Sequence, residues 1–259
     1  MIDAKLFLAR PITFGQIKVY PPLVGEVINE QYFSSYKEFL TLTRDELSDL
    51  LEKNREREPE LYKGLEEKDL EVFLDPFLFL LYHAKKDKNF EQQIKQAFKF
   101  FLKEEIEFFY EEQMILIGKL ENELLSLSEL TELVFIEQDN FFIVQNLIRK
   151  AIGQKEIQKI DYEDDNPMVR RMKMKARERD KVKEKREKGI RMGTLLAGVC
   201  CMGIGLTPLN IEQISYKALM MLYGMNQQKE EHALDMQILS SGMSKQKKAP
   251  KYWIRDEDD

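Results

Sequence analysis

One run of 22 residues, Arg170 to Arg191 (RRMKMKARERDKVKEKREKGIR), constrains this chain more than any other stretch. It holds twelve Lys or Arg against four Asp or Glu, and Asp161, Glu163, Asp164 and Asp165 stand just ahead of it. It has no Pro, its only Gly (Gly189) lies near its end, and it is rich in Lys, Arg, Glu and Met. Such a run is expected to be helical with nothing packed beneath it. It therefore connects rather than fills, and it divides the chain into three parts. Residues 1–160 form an N-terminal α+β body, 161–191 an acidic-then-basic helical linker, and 192–259 a helical C-terminal module with a polar tail.

The full chain of 259 residues is long enough for one large domain or a core domain with a smaller companion, and its 43% of hydrophobic residues can fill a core. One third of the residues are charged, and Gly and Pro are scarce, which favours solvated helices over a Gly-rich sandwich or barrel. The expected class is α+β and predominantly α-helical. It combines a small N-terminal β-hairpin and short strands with several helices, a long basic connecting helix and a small helical C-terminal module.

Alternation in KLFLARPITF and QIKVY predicts two short strands joined at Gly15-Gln16. Pro21-Pro22 then stops the strand, and Leu23, Val27, Ile28, Tyr32, Tyr36, Phe39 and Leu40 recur at the spacing of one amphipathic helix. Thr43 and Glu46 have capping-box spacing, so a second helix is expected there. Dense charge between Glu52 and Asp69 predicts a solvated helix end and loop. In LEVFLDPFLFLLY (70–82), Pro76 is read as a break between a short strand and a buried segment. Phe90, Ile94, Ala97, Phe98 and Phe101 share one helical face, which should turn inward. Residues 105–125 lose that stripe and predict strands joined by turns around Gly118, with helix the alternative for the second part. Asp139 or Asn140 is the expected cap of a helix carrying Phe141, Phe142, Val144, Ile148 and Ala151. In the C-terminal part, a small-residue helix near 190–204 precedes a second one starting at Thr207-Pro208, with Ile211, Ile214, Ala218, Leu219, Leu222 and Met225 on its apolar face.

The residues give little support to catalysis. His83 and His232 are the only histidines and neither has metal-ligand spacing; each is read as a surface or helix-end residue. Cys200 and Cys201 are adjacent, cannot staple distant segments, and sit among Val, Met, Gly and Leu, so both are expected to be buried in a reducing compartment. The acidic group at 161–165 lacks the Gly and Glu of an EF-hand loop. No phosphate-loop, dinucleotide or nucleophile-elbow motif occurs. The expectation is a protein with no active site, no metal and no cofactor. The N-terminus does not read as a secretion signal, and the most lipid-like segment, 194–206, is shorter than the roughly 20 residues a bilayer span needs. Arg170, Arg171, Lys173, Lys175 and Arg177 could contact nucleic-acid phosphates, the alternative reading. Interleaved acids and the lack of any aromatic between 170 and 191 make nucleic acid the lesser expectation.

IKVYPPLVGEVI (17–28), YFSSYKEFL (32–40), NFFIVQNLIRK (140–150), the basic linker and the closing KYWIR (251–255) occur in an order that resembles tail assembly chaperone-type proteins of long-tailed bacteriophages. The resemblance implies a non-enzymatic protein that coats the aggregation-prone tape measure protein and helps recruit tail tube subunits. The cytoplasmic location that the adjacent cysteines favour would be the host's if the chain is phage-encoded, and the resemblance allows self-association. A helical client with apolar stripes calls for adaptable Met-rich and aromatic surfaces. Met220, Met221, Tyr252, Trp253 and Ile254 are the candidate partner contacts. Phe141, Phe142 and Leu222 could add to them, although Phe141 and Leu222 are expected to lie in the core.

Overall fold

The computed structural model describes residues 2–57, 73–118, 133–157 and 191–241. The chain divides into two units, residues 1–156 with 213–217, and residues 157–212 with 218–259. The fold is α+β and mostly helical, with one two-stranded and one three-stranded antiparallel sheet among the described residues.

The body opens with a helix where a strand is expected: α1 spans Ile2–Phe7 and buries Leu6 completely. Six residues of mixed polarity satisfy either period, and the backbone decides the matter. Arg10 N–H donates to the Lys5 carbonyl at 2.7 Å and Ala9 N–H to that of Leu6 at 3.1 Å, with Ala9 left-handed at φ 55°. This is a Schellman ending. The hairpin that follows is shorter than its sequence reading, β1 (Ile12–Phe14) against β2 (Ile17–Val19), with Phe14 facing Ile17. Gly15 takes φ 57° at the first central position of the two-residue turn, the position Gly fills in a type II′ hairpin.

The single helix expected after Pro22 is two, α2 (Val24–Asn29) and α3 (Phe33–Thr41). Glu30 leaves the helix at φ −88°, ψ 102°, and its carboxylate accepts the Tyr32 N–H at 3.1 Å. A local side-chain bond thus competes with the ladder and wins. Helix α4 (Arg44–Arg57) begins where the capping box places it. Thr43 N–H donates to Glu46 Oε2 at 2.9 Å, and Glu46 N–H to Thr43 Oγ1 at 3.2 Å.

Pro76 starts a helix instead of separating a strand from a buried segment. Helix α5 (Pro76–Lys86) has Pro76 in its first turn, and Asp75 Oδ1 accepts the N–H groups of Phe77 (2.9 Å) and Leu78 (3.0 Å). Proline loses nothing there, because a first-turn N–H has no partner inside the helix. Phe73 and Leu74 are helical as well, and residues 70–72 lie outside the described residues.

Helix α6 (Lys88–Leu102) is the centre of the body, packing against α3, α5, β2 and β3. Ile94, Ala97, Phe98 and Phe101 are fully buried, as their spacing predicts, while Phe90 is half-buried. The strands expected over 105–125 are β3 (Ile106–Phe109) and β4 (Met114–Ile117), paired Phe109 to Met114, while residues 119–125 lie outside the described residues; β5 (Val134–Ile136) adds to the free edge of β4.

Helix α7 is Gln138–Ala151 and starts before both residues expected to cap it. Asn140 instead reaches back from the third helical position, accepting the Glu137 N–H at 2.9 Å and donating to the Phe135 carbonyl at 2.9 Å. Val144, Ile148 and Ala151 are fully buried, and Phe141 meets Phe77 at 5.3 Å between ring centres. Gln145, itself buried, donates to the Leu42 carbonyl at 2.6 Å, and Arg149 to that of Thr41 at 3.1 Å. These two donors satisfy carbonyls left open at the end of α3.

Residues 213–217, which the sequence reading assigns to the C-terminal module, are part of the body. Leu23 faces Ser215 as an antiparallel pair. The pair is bracketed by the bonds from Val24 N–H to the Ile214 carbonyl (2.9 Å) and from Tyr216 N–H to the Pro22 carbonyl (2.8 Å).

In the second unit, α8 (Met192–Cys200) is followed by one turn at 207–210, a short 3-10 helix (Ile211–Gln213), and α9 (Tyr216–Ser240), whose first residues lie in the body. Thr207 therefore caps a single turn rather than the long helix. Its hydroxyl accepts the Leu209 N–H at 3.3 Å, and its own N–H donates to Asn210 Oδ1 at 2.7 Å.

Candidate partner-binding helix

Helix α9 has 25 residues, so it is roughly 37 Å long at ~1.5 Å per residue. Its sequence is made mostly of strong helix formers, and its polar side chains bond to each other one turn apart. Asn226 Nδ2 donates to Glu230 Oε1 at 2.9 Å, and Gln227 Nε2 to the Tyr223 hydroxyl at 3.1 Å. Gly224 lies in the helix with nothing within 4 Å of where a Cβ would stand, so no close approach requires it.

Of the expected apolar face, only Ile211, Ala218 and Leu219 are buried, while Ile214 and Leu222 are half-buried. Met225 is exposed, and Leu234, Met236 and Ile238 stand exposed beyond the polar QQKEEH stretch. The apolar residues do not form one stripe but are spread around the helix. This spread is why three of the exposed side chains escape a search for helical periodicity. The signal that reveals them is isolated large apolar residues in a charged segment.

Met220 and Met221 lie side by side in α9, Met220 exposed and Met221 half-buried. The other candidate contacts, Tyr252, Trp253 and Ile254, lie outside the described residues, as do Arg170, Arg171, Lys173, Lys175 and Arg177 and the acidic group at 161–165. Phe141 is core in α7, as expected, and Phe142 is half-buried there.

Cys201 is exposed and Cys200 half-buried, which corrects the expectation that both are buried. Leu195 and Val199, one turn apart, form the buried side of α8, and helical rotation carries Cys200 and Cys201 away from it.

His83 closes the last turn of α5, half-buried against Phe79, Tyr82 and Phe90 with ring centres at 4.3, 5.4 and 5.9 Å. Burial, and then the Lys86 ammonium, lower its pKa. Burial, followed by the charge of Glu30, pushes the Tyr36 hydroxyl up to about 12. That hydroxyl donates to Gln96 Oε1 at 3.1 Å, a bond between α3 and α6. A cleft of about 360 Å³ in the body is lined by Gln16, Lys18 and Glu104 with Ile17, Leu102 and Ile117 among its apolar walls.

Among the described residues, no group of three or more His, Cys, Asp or Glu side chains could hold a metal ion. Also among these residues, no helix is long and apolar enough to cross a membrane. No protein-family model, no curated protein and no solved structure matches the chain.

Proposed function

We propose that this protein is a non-enzymatic assembly chaperone of the phage-tail type, working in the cytoplasm, that shields an aggregation-prone helical tape measure protein and helps bring tail tube subunits to it. The observation that carries this reading is α9, a long helix with Met220, Met225, Leu234, Met236 and Ile238 exposed along it. Three of the five are methionines, whose flexible thioethers adapt to varied apolar partners. Their spread around the helix suits a client that wraps or stacks over a fitted groove for one ligand. Tyr252, Trp253 and Ile254 would add a second anchoring element in the tail, although they lie outside the described residues.

Co-expression with the tape measure and tail tube proteins of the same genome tests the proposal. The expected result is that the tape measure protein becomes soluble and co-purifies with this chain. Met225→Glu combined with Met236→Glu should abolish that effect while leaving the fold intact. Unchanged solubility and no association with either protein would reject the reading.

A further inference from the structure

The joint between 213–217 and the body has the chemistry of strand addition, in which backbone bonds supply affinity and side-chain pockets supply selectivity. Receiving groups within the first 33 residues include the carbonyls of Phe7 and Pro22, the N–H of Val24 and the ring of Phe33. Val24 N–H donates to the Ile214 carbonyl at 2.9 Å, and the Pro22 carbonyl accepts the Tyr216 N–H at 2.8 Å. The Leu23 N–H is already committed to Glu26 Oε2 at 2.9 Å, so the edge offers one acceptor and one donor in a fixed register.

Selectivity comes from two side chains. Ser215 is 0% exposed, and its hydroxyl donates to the Phe7 carbonyl at 3.3 Å. Its place admits a small residue that can donate a hydrogen bond. Tyr216 sets its ring edge-on to Phe33 at 5.5 Å, so the next place admits an aromatic. The edge thus recognises three residues, of which the second is Ser and the third aromatic.

Residues 214–216 are separated from the rest of the body by residues 157–212, and the bonds and the ring contact described above fall on three consecutive residues. Joints this small open below the cost of global unfolding. We propose that the N-terminal edge of the body is a strand-acceptor site, filled reversibly by residues 214–216 of the same chain and open to exchange with that segment of a second copy. The second copy is the occupant of choice because its segment carries the identical Ile-Ser-Tyr and meets the same receiving groups.

The test uses the full-length protein and a fluorescent synthetic peptide of residues 211–220. Ser215→Asp places a carboxylate in the buried serine's position and should eject the chain's own segment. That variant is expected to bind the peptide at least about tenfold more tightly than the wild type does, because an occupied site lowers apparent affinity in proportion to the vacant fraction. The same peptide carrying Asp in place of Ser should bind neither protein. Equal binding by variant and wild type, or binding by neither, overturns the proposal. If Ser215→Asp fails to fold, Tyr216→Ala takes its place. Hydrogen exchange on the wild type decides independently: the Val24 and Tyr216 amides should exchange at least about tenfold faster than those of Phe98 and Phe101. Exchange of all four only through global unfolding would mean that the joint never opens, and would sink the idea.

Discussion

Two side chains show how local chemistry sets the stability of the body. The first is His83, held among Phe79, Tyr82 and Phe90 with the Lys86 cation one turn away in sequence. Its pKa is lowered from 6.5 by burial and then by Lys86, so at acid pH the unfolded chain binds a proton that the folded one resists. The stability contributed by neutral His83 is therefore complete above about pH 6.5 and is lost as pH falls through the lower folded value. Urea unfolding at stepped pH should show a decline below neutrality that His83→Phe, which keeps an aromatic ring in place, makes shallower; an unchanged slope would mean that His83 is not its source. The second is Ala9, left-handed at φ 55° in the position where a Schellman ending usually has Gly. A Cβ costs roughly 1 kcal/mol in that conformation, so Ala9→Gly should raise stability by about that amount, less what glycine adds to the entropy of the unfolded chain. Thermal unfolding checks it, and a lower melting temperature would show that the entropy cost dominates.

Helix ends are the elements where sequence and structure agree or part company most instructively. Asp75 caps α5 through the Phe77 and Leu78 N–H groups, and its other oxygen accepts from Gln138 Nε2 at 3.0 Å at the start of α7. One carboxylate thus fixes two helix starts. Asp75→Ala should cost about 1–2 kcal/mol, with Asp75→Asn costing less, measured as the shift in chemical denaturation midpoint. The Thr43–Glu46 box was legible because all its partners lie within four residues. Asp75-Pro76 carried a signal just as local, but the apolar run around it favoured a strand reading over an N-cap followed by a first-turn proline. The break between α2 and α3 depends on one Glu30 side chain choosing a turn over the helix, which apolar spacing does not register. Within the candidate site, periodicity found Met225, whereas Leu234, Met236 and Ile238 fall outside any single stripe and became visible only through their exposure.

For the whole molecule, the decisive fact is that the body is discontinuous in sequence. Composition marks a boundary near residue 160 because it registers the basic run, but backbone pairing between Pro22–Val24 and Ile214–Tyr216 leaves no trace in composition or period. A chain ending at residue 212 should therefore fold into a weakened body, and one ending at residue 220 into a body of full strength. The shorter chain loses two inter-segment backbone bonds and the Ser215 hydroxyl bond at about 1 kcal/mol each, and part of the burial of one aromatic ring, together roughly 3–5 kcal/mol. Denaturation of the two truncated chains, followed by α6 and α7 helicity, measures the difference. If the body were the continuous domain that the composition suggests, the two would unfold together. A gap of the expected size, restored in part by adding the 211–220 peptide to the shorter chain, would show that the C-terminal half contributes a working part of the N-terminal fold.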